Sequence, residues 1–446
     1  MDRILCFIIY IIVALAKLAK PLSRLGIGSY DEWEPGKKLK VLLVGYNGAR
    51  NTGSDVRVVA IARQVKELFG EENVKITVMT LNRKTLKGYF DSDVELLKFS
   101  SLFPIPLLKA CSSHHVAILC EGSTLKSTFA NALSLFLCEA AGVMASQHKP
   151  CIAYGSEIGQ MEPFMEKAAK KLCKDAYFIT RTEGSYENLK RLGLKGHAGT
   201  DAAWIYDGTI GNEKIEEMLK KQGWDGQKPL LGIAVINPFY WPVRASLGKW
   251  IKGLITGNLK GQYDKWYFFS DSPKRRQAYK HYIKEIASGA NSFLKDNDYF
   301  PVLIGMERLD KKACEELSNL LNVKGAMFLS GNNSADIMTG ILHKLDLLVT
   351  SRYHASVLSM EGACPIISVS MDERLDGIMK ELSYEDKYLF HTTDRNLGTE
   401  LAGALEDARD NMKAVSCHIA DTLPVYKEKL NDMGIFMKKY MERALV

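Results

Sequence analysis

Arg352 and His354 stand two positions apart, directly after the short apolar run Leu347-Leu348-Val349. A guanidinium is a planar fork for carboxylate or phosphate, and an imidazole carries a proton near neutral pH. The pair therefore suits an anionic substrate in proton-dependent chemistry, with Ser351 beside it. In a plainer reading Arg352 caps a helix or pairs with a surface acid, and His354 packs in the first helical turn. Other segments bear on the choice. The loop Gly45-Tyr46-Asn47-Gly48-Ala49-Arg50-Asn51-Thr52-Gly53-Ser54-Asp55 has three glycines for close backbone approach. It delivers Asn51, Gly53, Ser54 and Asp55 to a helix amino terminus, where free N–H groups favour anions. Its spacing is neither GxGxxG nor a Walker loop, and Ser54 and Asp55 also suit simple helix capping.

Glu121-Gly122-Ser123 and Gly155-Ser156-Glu157-Ile158-Gly159 each follow an apolar strand pattern, Arg181 follows another ending at Thr180, and Asp201 lies in Gly199-Thr200-Asp201-Ala202-Ala203. Each has a structural alternative: Arg181 paired with Glu183 or Asp201, Glu121 solvated. Six strand ends carrying Gly, Arg, His or acid residues point to one cleft, because open α/β sheets collect ligands at the carboxyl ends of their strands. His114-His115 has no partner at metal-ligand spacing, so no metal is expected. Phe239-Tyr240-Trp241 reads as a packed loop, and Lys274-Arg275-Arg276 as a solvated helix start.

The elements that must position these residues alternate as βα units from Leu39 onward. Strands are expected over 40–45, 75–80, 116–120, 151–155 and 177–180. Helices are expected over 54–69, 124–146, 164–173 and 183–192, the last closed by Gly193. Residues 207–229 are charged and Gly-rich, the composition of a linker. A second series of strands is expected over 230–236, 266–269, 302–304, 326–329, 345–349 and 366–369, and a mostly helical tail over 402–441 that can cross back to the first domain. The expected fold class is α/β, with two doubly wound, Rossmann-like domains facing a cleft, a short hydrophobic N-terminal helix and a helical C-terminal tail. The divisions are a hydrophobic segment at 1–28, α/β domains at 29–207 and 229–395 joined by a linker at 208–228, and the tail at 396–446.

A chain of 446 residues is too long for one ordinary core. Its 46% hydrophobic and 25% charged content is that of a globular protein. The formal net charge of +7 is modest and partly concentrated at Lys17, Lys20, Arg24, Lys37, Lys38 and Lys40, which argues for a nearby negatively charged surface and against a nucleic-acid groove. The nine cysteines show no CxxC spacing and read as buried thiols of a reducing compartment. Ile4 to Ala16 is uninterrupted apolar sequence reaching roughly 20 Å, short of the roughly 30 Å hydrocarbon core. It reads as a helix lying on a membrane surface, as a signal peptide cut after Ala14-Leu15-Ala16, or as a helix packed on the protein. The expected setting is cytoplasmic and peripheral to a membrane contacted through residues 1–20.

Taken in order, these segments resemble the polysaccharide pyruvyl transferase family from about Leu39 to about Leu382. The family's opening loop looks like Gly45-Tyr46 with Asn51-Thr52-Gly53-Ser54-Asp55, and its Gly-rich strand end is similar to Glu121-Gly122-Ser123. Its Gly-x-Gly-Ile-Gly segment looks like Gly155-Ser156-Glu157-Ile158-Gly159. Its Arg-Asp-x-x-Ser helix start appears as Arg181-Thr182-Glu183-Gly184-Ser185, and its Asp-Pro-Ala turn as Asp201-Ala202-Ala203. The Arg-Leu-His-Ala signature appears as Arg352-Tyr353-His354-Ala355. The downstream Gly-x-Pro strand, with its acid and cation, appears as Gly362, Pro365, Asp372, Glu373 and Arg374.

The resemblance implies a GT-B-like fold and transfer of the enolpyruvyl unit of phosphoenolpyruvate to hydroxyls of a glycan or lipid-linked sugar, with no cofactor. It implies that Arg352 and Arg181 hold the donor from facing domains, and that Asn51, Gly53, Ser54, Asp201, Ser351 and Arg374 also bind substrate. His354 is implied as proton carrier or phosphate partner, and Asp55, Glu121 and Asp201 as groups that orient or deprotonate the acceptor. Glu121 and Ser123 stand where the family has glycine, Thr182 where an acid is usual and Ala202 where a proline is usual. These departures cluster on the acceptor side, in the first domain. Two other readings are a nucleotide-sugar glycosyltransferase of GT-B type and a non-catalytic, membrane-associated sugar-binding or scaffold protein. Glu361-Gly362-Ala363-Cys364-Pro365 resembles the start of the Glu-x7-Glu motif of retaining glycosyltransferases, but Val369 stands where the second carboxylate belongs. Retention of Arg352 and His354 argues against the non-catalytic reading.

Overall fold

A computed structural model describes residues 1–99, 102–208, 210–257, 261–264 and 266–445. Helices α1 (Asp2–Ala16) and α2 (Ala19–Arg24) lead to β1 (Leu39–Val44) and α3 (Thr52–Phe69). Next come β2 (Val74–Thr80), β3 (Glu95–Lys98), α4 (Pro104–Ser112), β4 (Val116–Leu119), α5 (Asn131–Ser146), β5 (Cys151–Ser156), α6 (Pro163–Leu172), β6 (Tyr177–Thr180), α7 (Glu183–Leu192) and β7 (Lys195–Ala198). These seven strands form one parallel sheet in the order β3-β2-β1-β4-β5-β6-β7. Its central strands β1, β4 and β5 are buried along their length, Lys40 alone being partly exposed, because helices cover both faces.

After α8 (Asn212–Lys221) and β8 (Leu230–Ala234), a small antiparallel sheet is made by β9 (Arg244–Ala245), β10 (Gln262–Asp264) and β11 (Tyr267–Phe268), with α9 (Leu247–Thr256) between its first two strands. The chain continues through α10 (Pro273–Asp296), β12 (Phe300–Gly305), α11 (Lys311–Ser318), β13 (Ala326–Leu329), α12 (Ala335–His343), β14 (Leu347–Thr350), α13 (Tyr353–Ser359), β15 (Ile366–Ser370), α14 (Glu373–Glu381), α15 (Glu385–Tyr388) and β16 (Leu389–His391). The second sheet is parallel in the order β13-β12-β8-β14-β15-β16. In both sheets the strand order reverses beside the first strand, between β1 and β4 and between β8 and β14. This is the crevice position for ligands in doubly wound folds.

Several sequence expectations are corrected. The helix expected from Thr124 starts at Asn131, because the backbone of 125–127 pairs with 157–160: the Leu125 N–H donates to the Glu157 carbonyl (3.1 Å) and the Ser127 N–H to that of Gln160 (2.9 Å). The expected linker contains α8, whose Ile215 and Leu219 are buried. The segment 266–269 does not join the main sheet; Tyr267 and Phe268 pair in the small one. Edge strands β3, β7 and β16 went unread because they are short and half-exposed, without the apolar run of a central strand.

The tail forms α16 (Leu397–Asp410) and α17 (Met412–Leu445). α17 returns to the first sheet's helices: Trp204 stacks on Tyr426 with 4.3 Å between centroids, and the Gln64 amide donates to the Leu430 carbonyl (3.1 Å). α1 packs Cys6, Ile9, Ile12 and Ala16 onto α4 and α5 and leaves Ile4, Phe7, Ile8, Ile11 and Leu15 exposed. The packed-helix reading thus describes one of its faces. Among the described residues no helix is long and apolar enough to cross a membrane.

Candidate active site

From the first sheet, the β1–α3 loop is set by short side chains. Asn51 caps α3 by accepting the Ser54 N–H (3.2 Å), and the Ser54 hydroxyl donates to the Tyr46 carbonyl (3.1 Å). Glu121, just after β4, accepts the N–H groups of Tyr46 (3.1 Å) and Ser123 (3.3 Å). Arg181, just after β6, donates from Nε to Glu157 (2.8 Å) and from Nη1 to Asp201 (3.1 Å). Arg57 puts Nη1 2.7 Å from the same Asp201 oxygen and also donates to the carbonyls of Tyr154 and Gly155. Two buried guanidiniums therefore face two buried carboxylates, the condition under which buried charge is tolerated. Burial alone would raise the Asp201 pKa, but Arg57, His354 and Arg181 hold it well below the usual carboxylate range. Gly122 is required where it stands, because a Cβ there would lie 2.7 Å from Arg181 Nη1.

From the second sheet, β14 ends in a turn in which Thr350 Oγ1 accepts the Arg352 N–H (2.8 Å), and α13 opens at Tyr353. Arg352 Nη2 donates to Glu307 (3.0 Å), and its Nε lies 3.0 Å from Asp310. Burial pushes Asp310 up to about 7, against the pull of Arg352. The Tyr353 ring lies beneath the Arg181 guanidinium, 4.5 Å from its carbon, a cation–π contact between the two halves. His354 Nε2 is 3.6 Å from Asp201 Oδ2, beyond hydrogen-bond length. Burial pushes His354 down to about 4 although Asp201 opposes it, so the imidazole is neutral near pH 7. Gly53 lies directly against this ring. Arg374 pairs with Asp372 (2.7 Å) and lies over the Phe129 ring.

The halves are also joined backbone to backbone, with the Thr52 N–H on the Met306 carbonyl (2.8 Å), and through buried Lys126, which reaches Glu373 (2.9 Å) and Asp372 (3.4 Å).

Between them lies a cavity of about 570 Å³. Asn51, Ser54, Glu121, Arg181, Arg352, His354 and Arg374 line it. Gly53 and Asp201 sit directly behind this wall, against His354 and Arg181. Two of the singled-out residues point elsewhere. Asp55 is buried against the loop, with its carboxylate 3.4 Å from the Gly48 N–H it accepts, and burial pushes it up to about 7. The Ser351 hydroxyl is bonded to that of Tyr282 (2.9 Å).

Sequence reasoning missed Arg57, Glu307, Asp310, Arg308 and Lys126, and gave Arg50 no role. A lone cation inside the otherwise apolar stretch Val56 to Ala62 was the available signal for Arg57. Glu307 and Asp310 follow the end of β12, the same strand-end position used elsewhere. Among the described residues Arg50 and Arg308 line the cavity without a carboxylate partner, and no cluster of His, Cys, Asp or Glu is arranged to hold a metal.

Away from this polar floor, Phe99, Phe103, Leu133 and Phe136 form an apolar arm of the same cavity. Phe136 stacks on Phe99 (4.9 Å) and meets Phe103 edge-on (5.0 Å).

Comparison with known proteins agrees with this architecture. The protein HepE of Anabaena, solved in complex with UDP-glucose, superimposes with a TM-score of 0.56 at 12% identity, over 91% of this chain and 100% of that one. A glycosyltransferase from Rickettsia africae gives 0.55 at 11% identity, over 92% and 99%. The UDP-GlcNAc 2-epimerase of Neisseria meningitidis bound to UDP-GlcNAc gives 0.54 at 10% identity, over 88% and 100%. At these identities the likeness establishes the two-sheet fold alone. No curated protein matches by sequence. The model of the polysaccharide pyruvyl transferase family matches residues 51–373, from the cap of α3 to the first residue of α14. With most of its length matched and the family's strand-end residues gathered around one cavity, the chain belongs to the polysaccharide pyruvyl transferase family.

Proposed function

We propose that the chain moves the enolpyruvyl unit of phosphoenolpyruvate onto hydroxyls of a polysaccharide or lipid-linked glycan, closing a pyruvate ketal and releasing phosphate. One observation carries the reading. Arginines from the two halves, Arg50, Arg181, Arg308, Arg352 and Arg374, line the cavity together with His354, and among the described residues Arg50 and Arg308 have no carboxylate partner. Guanidiniums gathered around one cavity favour an anionic ligand, and one with carboxylate and phosphate oxygens meets them by forked, charge-assisted hydrogen bonds.

The donor carries a carboxylate and a phosphate. Arg352 is committed on two nitrogens to Glu307 and Asp310, so it offers its remaining Nη1, and Arg50, Arg308 and Arg374 supply further positive charge. A proton added to the methylene carbon makes C2 electrophilic, and the first acceptor hydroxyl forms its bond there. The C2–O bond to phosphate then breaks, and a second hydroxyl of the same glycan closes the ketal. The two hydroxyl protons are matched by one proton on the new methyl group and one on the departing phosphate.

His354 is the proton carrier. It is neutral in the free enzyme, and a phosphate beside it raises its pKa so that it can take up and deliver a proton. Glu121, held by two backbone N–H groups, faces the cavity from the acceptor side and is placed to deprotonate a hydroxyl. Asp55 and Asp201 orient rather than react: Asp55 ties the β1–α3 loop and Asp201 fixes Arg57 and Arg181. Residues 1–20 hold the enzyme on the cytoplasmic surface of a membrane, consistent with the exposed apolar face of α1.

The test is phosphate release from phosphoenolpyruvate with a panel of lipid-linked and nucleotide sugars, wild type beside Arg352→Ala. Acceptor-dependent release lost in the variant supports the assignment. Consumption of a nucleotide sugar with no binding of phosphoenolpyruvate would sink it.

A further inference from the structure

Helix α9 carries the sequence Leu247-Gly-Lys-Trp-Ile-Lys-Gly-Leu-Ile-Thr256, with no acidic residue. Leu247, Ile251, Leu254 and Ile255 recur at helical spacing and are left in solvent, Leu254 at 57% and Ile255 at 80% of full exposure. Lys249 and Lys252 flank this stripe. The pattern, with Trp250 half-buried against Trp266, is that of a helix lying in a bilayer interface.

Its place in the fold supports that reading. The Asn131 side chain donates to Asp2 at the start of α1 (3.1 Å) and to Glu162 (3.3 Å), and Glu162 accepts from Arg244 of β9 (3.4 Å), two residues before the cap of α9. The Val243 N–H also donates to the Phe129 carbonyl (2.8 Å), just before α5. The amino-terminal ends of α1 and α9 are therefore neighbours. α4, packed beside α1, adds Ile105, 61% exposed. On α1 itself Phe7 is 64% exposed.

We propose that the exposed faces of α1, α4 and α9 form one docking surface for an anionic lipid bilayer. Charge selects the occupant. α4 and α9 contain Lys109, Lys249 and Lys252 and no acid, and the one acid of α1, Asp2, is engaged by Asn131, while Lys17 and Arg24 follow α1. Apolar side chains ringed by unopposed cations match phospholipid headgroups over acyl chains. The surface borders the cavity, because Phe103, the cap of α4, and Tyr263 and Tyr267 of the small sheet all line it. A bilayer held there lies beside the acceptor half of the cleft. That consequence rests on the proposed transfer reaction; the docking does not.

The experiment is flotation of the full chain with phosphatidylcholine vesicles, with and without phosphatidylglycerol. Wild type is compared with Leu254→Asp/Ile255→Asp and with Phe7→Asp/Ile11→Asp, and phosphoenolpyruvate binding and circular dichroism report on the fold of each. Binding that depends on phosphatidylglycerol, weakened at least ~10-fold by either double substitution with the fold unchanged, is the expected result. Wild type that stays with the aqueous phase overturns the proposal, as does an α9 variant that floats like wild type. A dimer in sedimentation equilibrium that the α9 substitutions dissociate also overturns it, since the face would then belong to a second copy of the chain. Loss of phosphoenolpyruvate binding in wild type would count against the reaction and leave the vesicle result standing.

Discussion

His354 and Asp201 come from different sheets, and the Nε2 of one stands 3.6 Å from the Oδ2 of the other. Asp201 is already committed to Arg57 and Arg181, at 2.7 and 3.1 Å. The carboxylate therefore cannot hold His354 protonated, and desolvation prevails in setting its pKa near 4.

A ligand phosphate beside His354 favours the imidazolium, so binding takes up a proton wherever the pH lies between about 4 and the value in the complex. By this sign, phosphoenolpyruvate affinity falls as pH rises through neutrality, up to tenfold per pH unit. In His354→Gln the part of the slope owed to the imidazole disappears, leaving that of the ligand's own phosphate. Titration calorimetry in two buffers of different ionisation enthalpy measures the proton count, and equal counts in wild type and variant would contradict the assignment.

Gly53 allows the imidazole to sit on the first turn of α3. A Cβ built there would lie 2.0 Å from His354 Nδ1. Gly53→Ala must push the ring aside or part the two halves, at a cost of ~1–3 kcal/mol. Displacement of the reacting group by about 1 Å is expected to lower kcat ~100-fold. A melting curve and a turnover assay on one preparation separate the two effects.

Asp201→Asn leaves Arg181 with Glu157 and Arg57 with backbone carbonyls as its remaining partners, with both guanidiniums still buried. Breaking a buried ion pair from one side costs ~3–5 kcal/mol. Glu121→Gln keeps one oxygen, so only one of the N–H groups of Tyr46 and Ser123, which Glu121 accepts on separate oxygens, retains its partner; a cost of ~1–2 kcal/mol, below that of Asp201→Asn, is expected together with slower turnover. Urea denaturation of the two variants checks the contrast.

Asp55 gives a pH signature of stability with the opposite sign to a salt-bridged acid. Its folded pKa is raised to about 7 by burial, above the ordinary value of 3.8. The folded state holds the extra proton, so its contribution is complete below about pH 4 and is lost as pH rises to about 7, by at most ~4 kcal/mol. Asp55→Asn keeps an oxygen for the Gly48 N–H and removes this loss, so its melting temperature should exceed that of wild type at pH 8 and approach it at pH 5. Retained turnover in this variant would fit a positioning role, whereas abolished turnover with intact phosphoenolpyruvate binding would return Asp55 to the chemistry.

The apolar strands, the helices between them and the strand-end motifs were legible without coordinates. Local pattern sets them: a strand buried on both faces must be apolar along its length, and small, charged or capping residues gather where it ends. Arg352-Tyr353-His354, Glu121 and the Asn51 to Asp55 loop were found that way, and each sits at a strand's carboxyl end. Tertiary structure alone decided the partners. Arg181 reads in sequence either as a donor-binding cation or as a partner of Glu183 or Asp201; folding pairs it with Asp201 and also with Glu157 and the Tyr353 ring, 20, 24 and 172 positions away. Likewise Arg352 meets Glu307 and Asp310, and Asp55 turns into the protein while Glu121 turns toward the cavity. The reason is physical: the pKa of a buried charge and its freedom to meet a ligand depend on desolvation and on charges brought within a few ångströms by chain folding, and neither leaves a trace in local periodicity.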